Sequence, residues 1–135
     1  MDLSKTAVYV QTGCLALDRL LGGGLRQGEV TLLYGEAATG KTNLALQVSA
    51  QTARTGGKVI YVDPDQSFAY QRFYQIAPDI GERSHNIVIF IPDFFLDQTR
   101  IIENLEKYVA RNTRLIVVDA VTTLYRVIPA TAGER

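Results

Sequence analysis

Apolar runs alternate along this chain with stretches whose apolar residues fall three or four positions apart. The runs "GEVTLLYG" (28–35), "KVIYVD" (58–63), "NIVIFIP" (86–92) and "RLIVVDAV" (114–121) predict strands. Helical spacing predicts helices over 15–21, 41–54, 68–77 and 98–110. The first is closed by Gly22, Gly23 and Gly24, the second by Gly56 and Gly57, and the third by Pro78. In the second helix Leu44, Ala45, Val48 and Ala53 are available for the buried side; in the fourth, Ile101, Ile102, Leu105, Tyr108 and Val109 are apolar at helical spacing. Strands and helices in alternation predict an α/β fold with a mainly parallel sheet. The strands are apolar throughout rather than every second residue, which predicts helices on both faces of the sheet.

One segment within this pattern carries recognisable chemistry. Gly35-Glu36-Ala37-Ala38-Thr39-Gly40-Lys41-Thr42 follows G-x-x-x-x-G-K-[ST], between a predicted strand and a predicted helix. Gly35 and Gly40 allow backbone angles denied to other residues, so main-chain amides can approach phosphate oxygens. The amides of 38–42 can serve as donors, and the positive end of the next helix favours an anion. Lys41 offers an ammonium to the β- and γ-phosphates, and the Thr42 hydroxyl suits Mg²⁺. Asn43 follows in the first helical turn. A chance glycine turn before a helix is the alternative, and the strand–loop–helix context argues against it.

Two strand ends add carboxylates. Asp119 closes "RLIVVD", where it can hold Mg²⁺ or a water bound to it. "VIYVDPDQSF" places Asp63, Asp65 and Gln66 just past the second strand, at the end that faces ligands in open α/β sheets. A carboxylate there can orient a water toward a γ-phosphate. A solvated acidic loop reads equally well from the spacing alone.

Composition narrows the setting. The 135 residues fit one domain. Fourteen basic and fourteen acidic residues cancel, so no global positive field draws in nucleic acid, and any DNA contact must be local. Cys14 is the single cysteine, which excludes an intrachain disulfide and predicts a reducing, cytoplasmic setting, with Cys14 as a small buried side chain. With His85 the single histidine, no Cys/His zinc cluster forms. No leader-like apolar core opens the chain, and no run is long enough for a membrane span.

"TGCLALDRLLGGGLRQGEVTLLYGEAATGKTNLALQ", "VIYVDPDQSFAYQRF" and "LIVVDAVTTLYR" together resemble the RecA/RadA recombinase superfamily, and most of all its archaeal RadB branch. The resemblance runs from Thr12 nearly to the end. It implies a RecA-type P-loop NTPase core that binds ATP and Mg²⁺. Gly35, Glu36, Ala37, Ala38, Thr39, Gly40, Lys41, Thr42 and Asn43 fall on the Walker A loop and helix start, and Thr42 with Asp119, on the Walker B strand, would hold the metal. Arg72 falls on an arginine that stacks over adenine in RadA-like proteins, and its planar guanidinium suits that role; a solvated arginine on a helix face is the alternative. Lys41 and Asp65 fall on catalytic positions. The family has a glutamate where this chain has Asp65, whose carboxylate is withdrawn by roughly 1.5 Å of bond length. Such a retreat spoils water positioning more than binding, so the resemblance implies weak hydrolysis.

The resemblance also implies function in homologous recombination and DNA repair. DNA, single-stranded or branched, a RadA-type recombinase and self-association are the partners it implies, with no membrane. "VIPATAGER" resembles the first family DNA-binding loop, with Arg126 and Arg135 as its candidate phosphate contacts. In the family, the strand after Walker B lies between the Walker B strand and the phosphate-loop strand. No such strand is found by Arg135, so residues 1–135 are expected to be the N-terminal part of a single RecA-like ATPase domain. Two other readings stay open: a KaiC-like signalling ATPase with no DNA role, and a non-catalytic module that holds ATP as a structural ligand.

Overall fold

The computed structural model describes residues 7–125. In chain order these form β1 (Tyr9–Val10), α1 (Leu15–Leu20), β2 (Leu25–Arg26), α2 (Lys41–Arg54), β3 (Lys58–Val62), α3 (Tyr70–Ile76), a 3₁₀ turn (Gly81–Asn86), β4 (Ile87–Phe90), α4 (Phe95–Glu103), a second 3₁₀ turn (Leu105–Lys107) and β5 (Thr113–Val118). β3 is the middle strand of a parallel sheet ordered β4-β3-β5. β1 and β2 pair separately as a short antiparallel ribbon, which the hydrophobic pattern did not predict. No helix among the described residues is long and apolar enough to cross a membrane.

The register fixes the two faces of the sheet. Tyr61 lies beside Ile89 and Val117, and this row packs on α2 and α3. The core there joins Leu46, Ala50, Ala53, Tyr61, Phe68, Phe73, Ala77 and Ile80. Each fully buried large apolar side chain contributes roughly 1.5–3 kcal/mol. Alternate residues point to the opposite face, where Ile60 lies between Val88 and Ile116. Ile60 is buried, but Val88 is 37% and Ile116 41% exposed. Burial on both faces therefore holds for β3 alone. β5 alternates between half-buried and exposed residues over Thr113–Val117.

A correction concerns "GEVTLLYG". Residues 30–35 form no strand. No described strand lies beside them, and an isolated extended segment gains no ladder bonds however apolar its sequence. Val30 is 99% and Tyr34 84% exposed.

α2 occupies the predicted span, and Leu46 and Ala50 join its predicted buried side. α3 begins two residues late, because Asp63 Oδ2 accepts the Phe68 amide at 3.0 Å and the chain stays extended through Ala69. α4 begins three residues early and breaks at Asn104, whose side chain donates to the Arg100 carbonyl at 2.7 Å. Cys14 is half-buried rather than buried, since it caps α1 in an extended conformation. The N-terminal segment is tied down by Thr12, which is fully buried. Its amide and hydroxyl donate to Asp18 Oδ1 at 2.9 and 2.7 Å, and its carbonyl accepts from Gln47 of α2 at 3.2 Å. Gly24 has no alternative: a Cβ there would stand 2.5 Å from the Val10 carbonyl oxygen.

Candidate functional site

The segment 35–40 is exposed and leads directly into α2. Gly40 caps that helix at φ 95°, a left-handed conformation that glycine adopts without cost. Ala38 shares the left-handed region at φ 61°, where its Cβ carries a steric penalty. The loop closes on itself. The Lys41 ammonium donates to the Gly35 carbonyl at 2.9 Å and to the Glu36 carbonyl at 2.5 Å, and the Thr39 hydroxyl donates to the same Glu36 carbonyl at 2.7 Å. The cation thus sits within the curve of the loop, at the amino end of a 14-residue helix. Dipole and ammonium together favour an anion. Asn43 is exposed in the first turn.

The end of β5 meets the start of α2. The ladder continues past β3 and β5: the Asp63 amide donates to Phe90 O at 2.8 Å, and the Asp119 amide to Val62 O at 3.0 Å. Asp119 is thereby held at the edge of the loop, where its Oδ2 accepts the Thr42 hydroxyl at 2.8 Å. The same oxygen accepts the Tyr61 hydroxyl at 3.0 Å. Burial pushes the Tyr61 hydroxyl far above its ordinary pKa, and the Asp119 carboxylate raises it further, so Tyr61 stays a donor. Sequence reasoning missed this partner. The signal was available, because a tyrosine inside the apolar "VIYV" must find an acceptor for its buried tip.

The three polar residues beyond β3 separate. Asp63 is buried and spoken for: Oδ1 accepts the Ser67 amide at 2.9 Å and its hydroxyl at 3.1 Å, while Oδ2 takes the Phe68 amide. It braces the loop, and its burial keeps it away from any water it could orient. Asp65 and Gln66 are exposed in the same loop, Gln66 at φ 53°. Arg72 is exposed on α3. Arg126 and Arg135 lie outside the described residues.

The donor chemistry fits Mg²⁺. Thr42 and Asp119 offer two hard oxygens 2.8 Å apart. Among the described residues no group of three or more His, Cys, Asp and Glu could hold a metal. A cation there would draw its remaining ligands from phosphate and water, as Mg²⁺ does. A groove of about 600 Å³ lies elsewhere, lined in part by Val10, Thr55, Asn112 and Arg114, near the amino ends of β3 and β5 and sharing no residue with segment 35–42.

Comparison with known proteins turns this geometry into a family assignment. The Rad51 family model matches residues 4–135. The chain belongs to the Rad51 family. It is 42% identical over 122 residues to the DNA repair and recombination protein RadB of Thermococcus onnurineus, covering 87% of this chain and 53% of that relative. RadB of Methanococcoides burtonii is 38% identical over 116 residues, covering 85% of this chain and 51% of the relative. A crystal structure of the RadB recombinase matches with a TM-score of 0.77 at 39% identity, over 92% of this chain and 57% of that one. The chain therefore spans about half the length of the curated relatives it matches. The predicted RecA-type α/β core agrees with this family membership.

Proposed function

We propose that this chain is the nucleotide-binding part of a RadB-like protein of homologous recombination and DNA repair, and that it takes Mg-ATP at Gly35–Thr42. The single observation that carries this reading is the contact between Thr42 and Asp119. It sets a hydroxyl and a carboxylate together beside a loop already organised around an ammonium. When bound, Mg²⁺ would neutralise charge on the phosphates. The chain's own residues do the rest. Loop amides and Lys41 grip phosphate oxygens, Thr42 and Asp119 supply metal-facing oxygens, and Arg72 stacks on the adenine. Asp65, exposed and short, orients the attacking water with poor reach, so hydrolysis is weak. DNA, met through Arg126 and Arg135, and a RadA-type recombinase are the proposed partners, and the cytoplasm is the proposed location.

Lys41→Ala in the intact protein tests the reading. Its ammonium bonds only exposed loop groups, so the fold should survive, within about 0.5 kcal/mol. Calorimetric titration with Mg-ATP should show binding by the wild type and none by the variant. Equal affinity for both proteins would refute the phosphate-loop assignment.

A further inference from the structure

The hydrogen bond between Tyr61 and Asp119 has a use beyond the core. We propose that Tyr61 is a positioning residue of the nucleotide site: its hydroxyl fixes the Asp119 carboxylate so that one oxygen stays available to the Mg-nucleotide complex. The inference rests on the Mg-ATP reading above.

The ring and the tip of Tyr61 do different things. The ring is core. It is fully buried beside Leu46 and Ala50 and meets Phe68 edge-on, with centroids 5.0 Å apart. Phenylalanine would fill that space equally well. The hydroxyl adds nothing to apolar packing, and burying it would cost free energy without a partner. Its partner is the carboxylate that the site needs.

Both donors to Asp119 fall on Oδ2, which leaves Oδ1 clear of either contact. Two donors arriving on one oxygen from different elements remove the carboxylate's freedom to rotate. They are not equivalent anchors. Thr42 belongs to the phosphate-binding segment itself, whereas Tyr61 belongs to β3, the middle strand of the sheet. Tyr61 therefore holds Asp119 to the rigid part of the fold whatever the loop does. Through Phe68 it also touches the far end of the loop that carries Asp65.

The test is Tyr61→Phe in the intact protein, with ATP affinity measured in Mg²⁺ and again in EDTA. The expected result is an EDTA affinity within about twofold of wild type, and an Mg²⁺ enhancement reduced about tenfold, the usual effect of removing a group that orients a metal ligand. An unchanged enhancement would overturn the proposal. So would equal weakening in both conditions, which a purely structural role predicts. Combining Tyr61→Phe with Asp119→Asn guards against a folding defect: if Tyr61 acts through Asp119, the double variant loses no more enhancement than Asp119→Asn alone, and additive losses count against the idea. The wild-type control separates the two readings. Wild type without any Mg²⁺ enhancement would undo the Mg-ATP reading itself, whereas normal wild-type enhancement retained in Tyr61→Phe would undo only the role of Tyr61.

Discussion

The hydroxyl of Thr42 donates to the carboxylate of Asp119 at 2.8 Å across 77 positions of sequence. The contact joins the first turn of α2 to the end of β5. Thr42→Val keeps the branched shape and removes the donor; Thr42→Ser keeps the donor. Mg-dependent ATP affinity should fall at least about tenfold in the valine variant and change little in the serine variant. Fluorescence titration against Mg²⁺ at fixed nucleotide reads the difference, and similar behaviour of the two variants would remove the hydroxyl from the site.

Asp63 presents a different case, because its carboxylate works inside the protein. It accepts two backbone amides and a hydroxyl from Ser67 and Phe68. Asp63→Ala strands those donors in a buried loop. The expected cost is about 2–4 kcal/mol, given that hydrogen bonds to charged groups are worth roughly 1.5–3 kcal/mol each and do not add fully. Urea denaturation should show a lower midpoint with an unchanged slope. A midpoint equal to wild type would mean that the loop finds other acceptors.

These two carboxylates differ in how far their placement could be read from the sequence. The glycine turn into α2 was legible because its pattern is local: two glycines, a lysine and a threonine at fixed spacing before a helix that begins at Lys41. Asp119 was legible as the polar end of an apolar strand. The roles of Asp63 and Tyr61 were not, because each depends on a partner placed by the fold. Asp63 and Asp65 are alike in sequence, and only the turn between them buries one and exposes the other. "GEVTLLYG" failed for a similar reason. Its composition suits a strand, but a strand exists only with a neighbour, and no described strand lies beside it.

Arg54 and Asp79 make the clearest pH-sensitive link. Arg54, in the last turn of α2, grips Asp79 with two bonds, Nη2 to Oδ1 at 2.6 Å and Nε to Oδ2 at 3.1 Å, just beyond α3. The hydrogen bonds from Arg54 hold the Asp79 carboxyl below its ordinary pKa. The folded form thus favours the charged state. The resulting stabilisation is present above the ordinary aspartate range and is lost as pH falls through the lowered value. Asp79 is exposed, so the effect on stability is small. Arg54→Met should return the Asp79 titration to ordinary aspartate behaviour. NMR of the Asp79 side-chain carbon resolves this directly, and an unshifted titration would show that the ion pair does not persist in solution.

On the proposed reading, Asp65 sets how fast the site turns over. It is exposed in the loop braced by Asp63, while Asp63, the other carboxylate there, is buried. The family pattern puts a glutamate at this position, and an aspartate reaches roughly 1.5 Å less far. A water held at the wrong distance lowers the rate without weakening the grip on phosphate, which the proposal assigns to Lys41 and the loop. In the intact protein Asp65→Asn should therefore reduce kcat while ATP affinity stays close to wild type. Asp65→Glu should raise kcat by restoring the reach. Single-turnover hydrolysis alongside equilibrium binding separates the two quantities. Unchanged turnover in Asp65→Asn would move the water-orienting role elsewhere. A rise with Asp65→Glu would establish that one methylene group, rather than the rest of the site, limits the reaction.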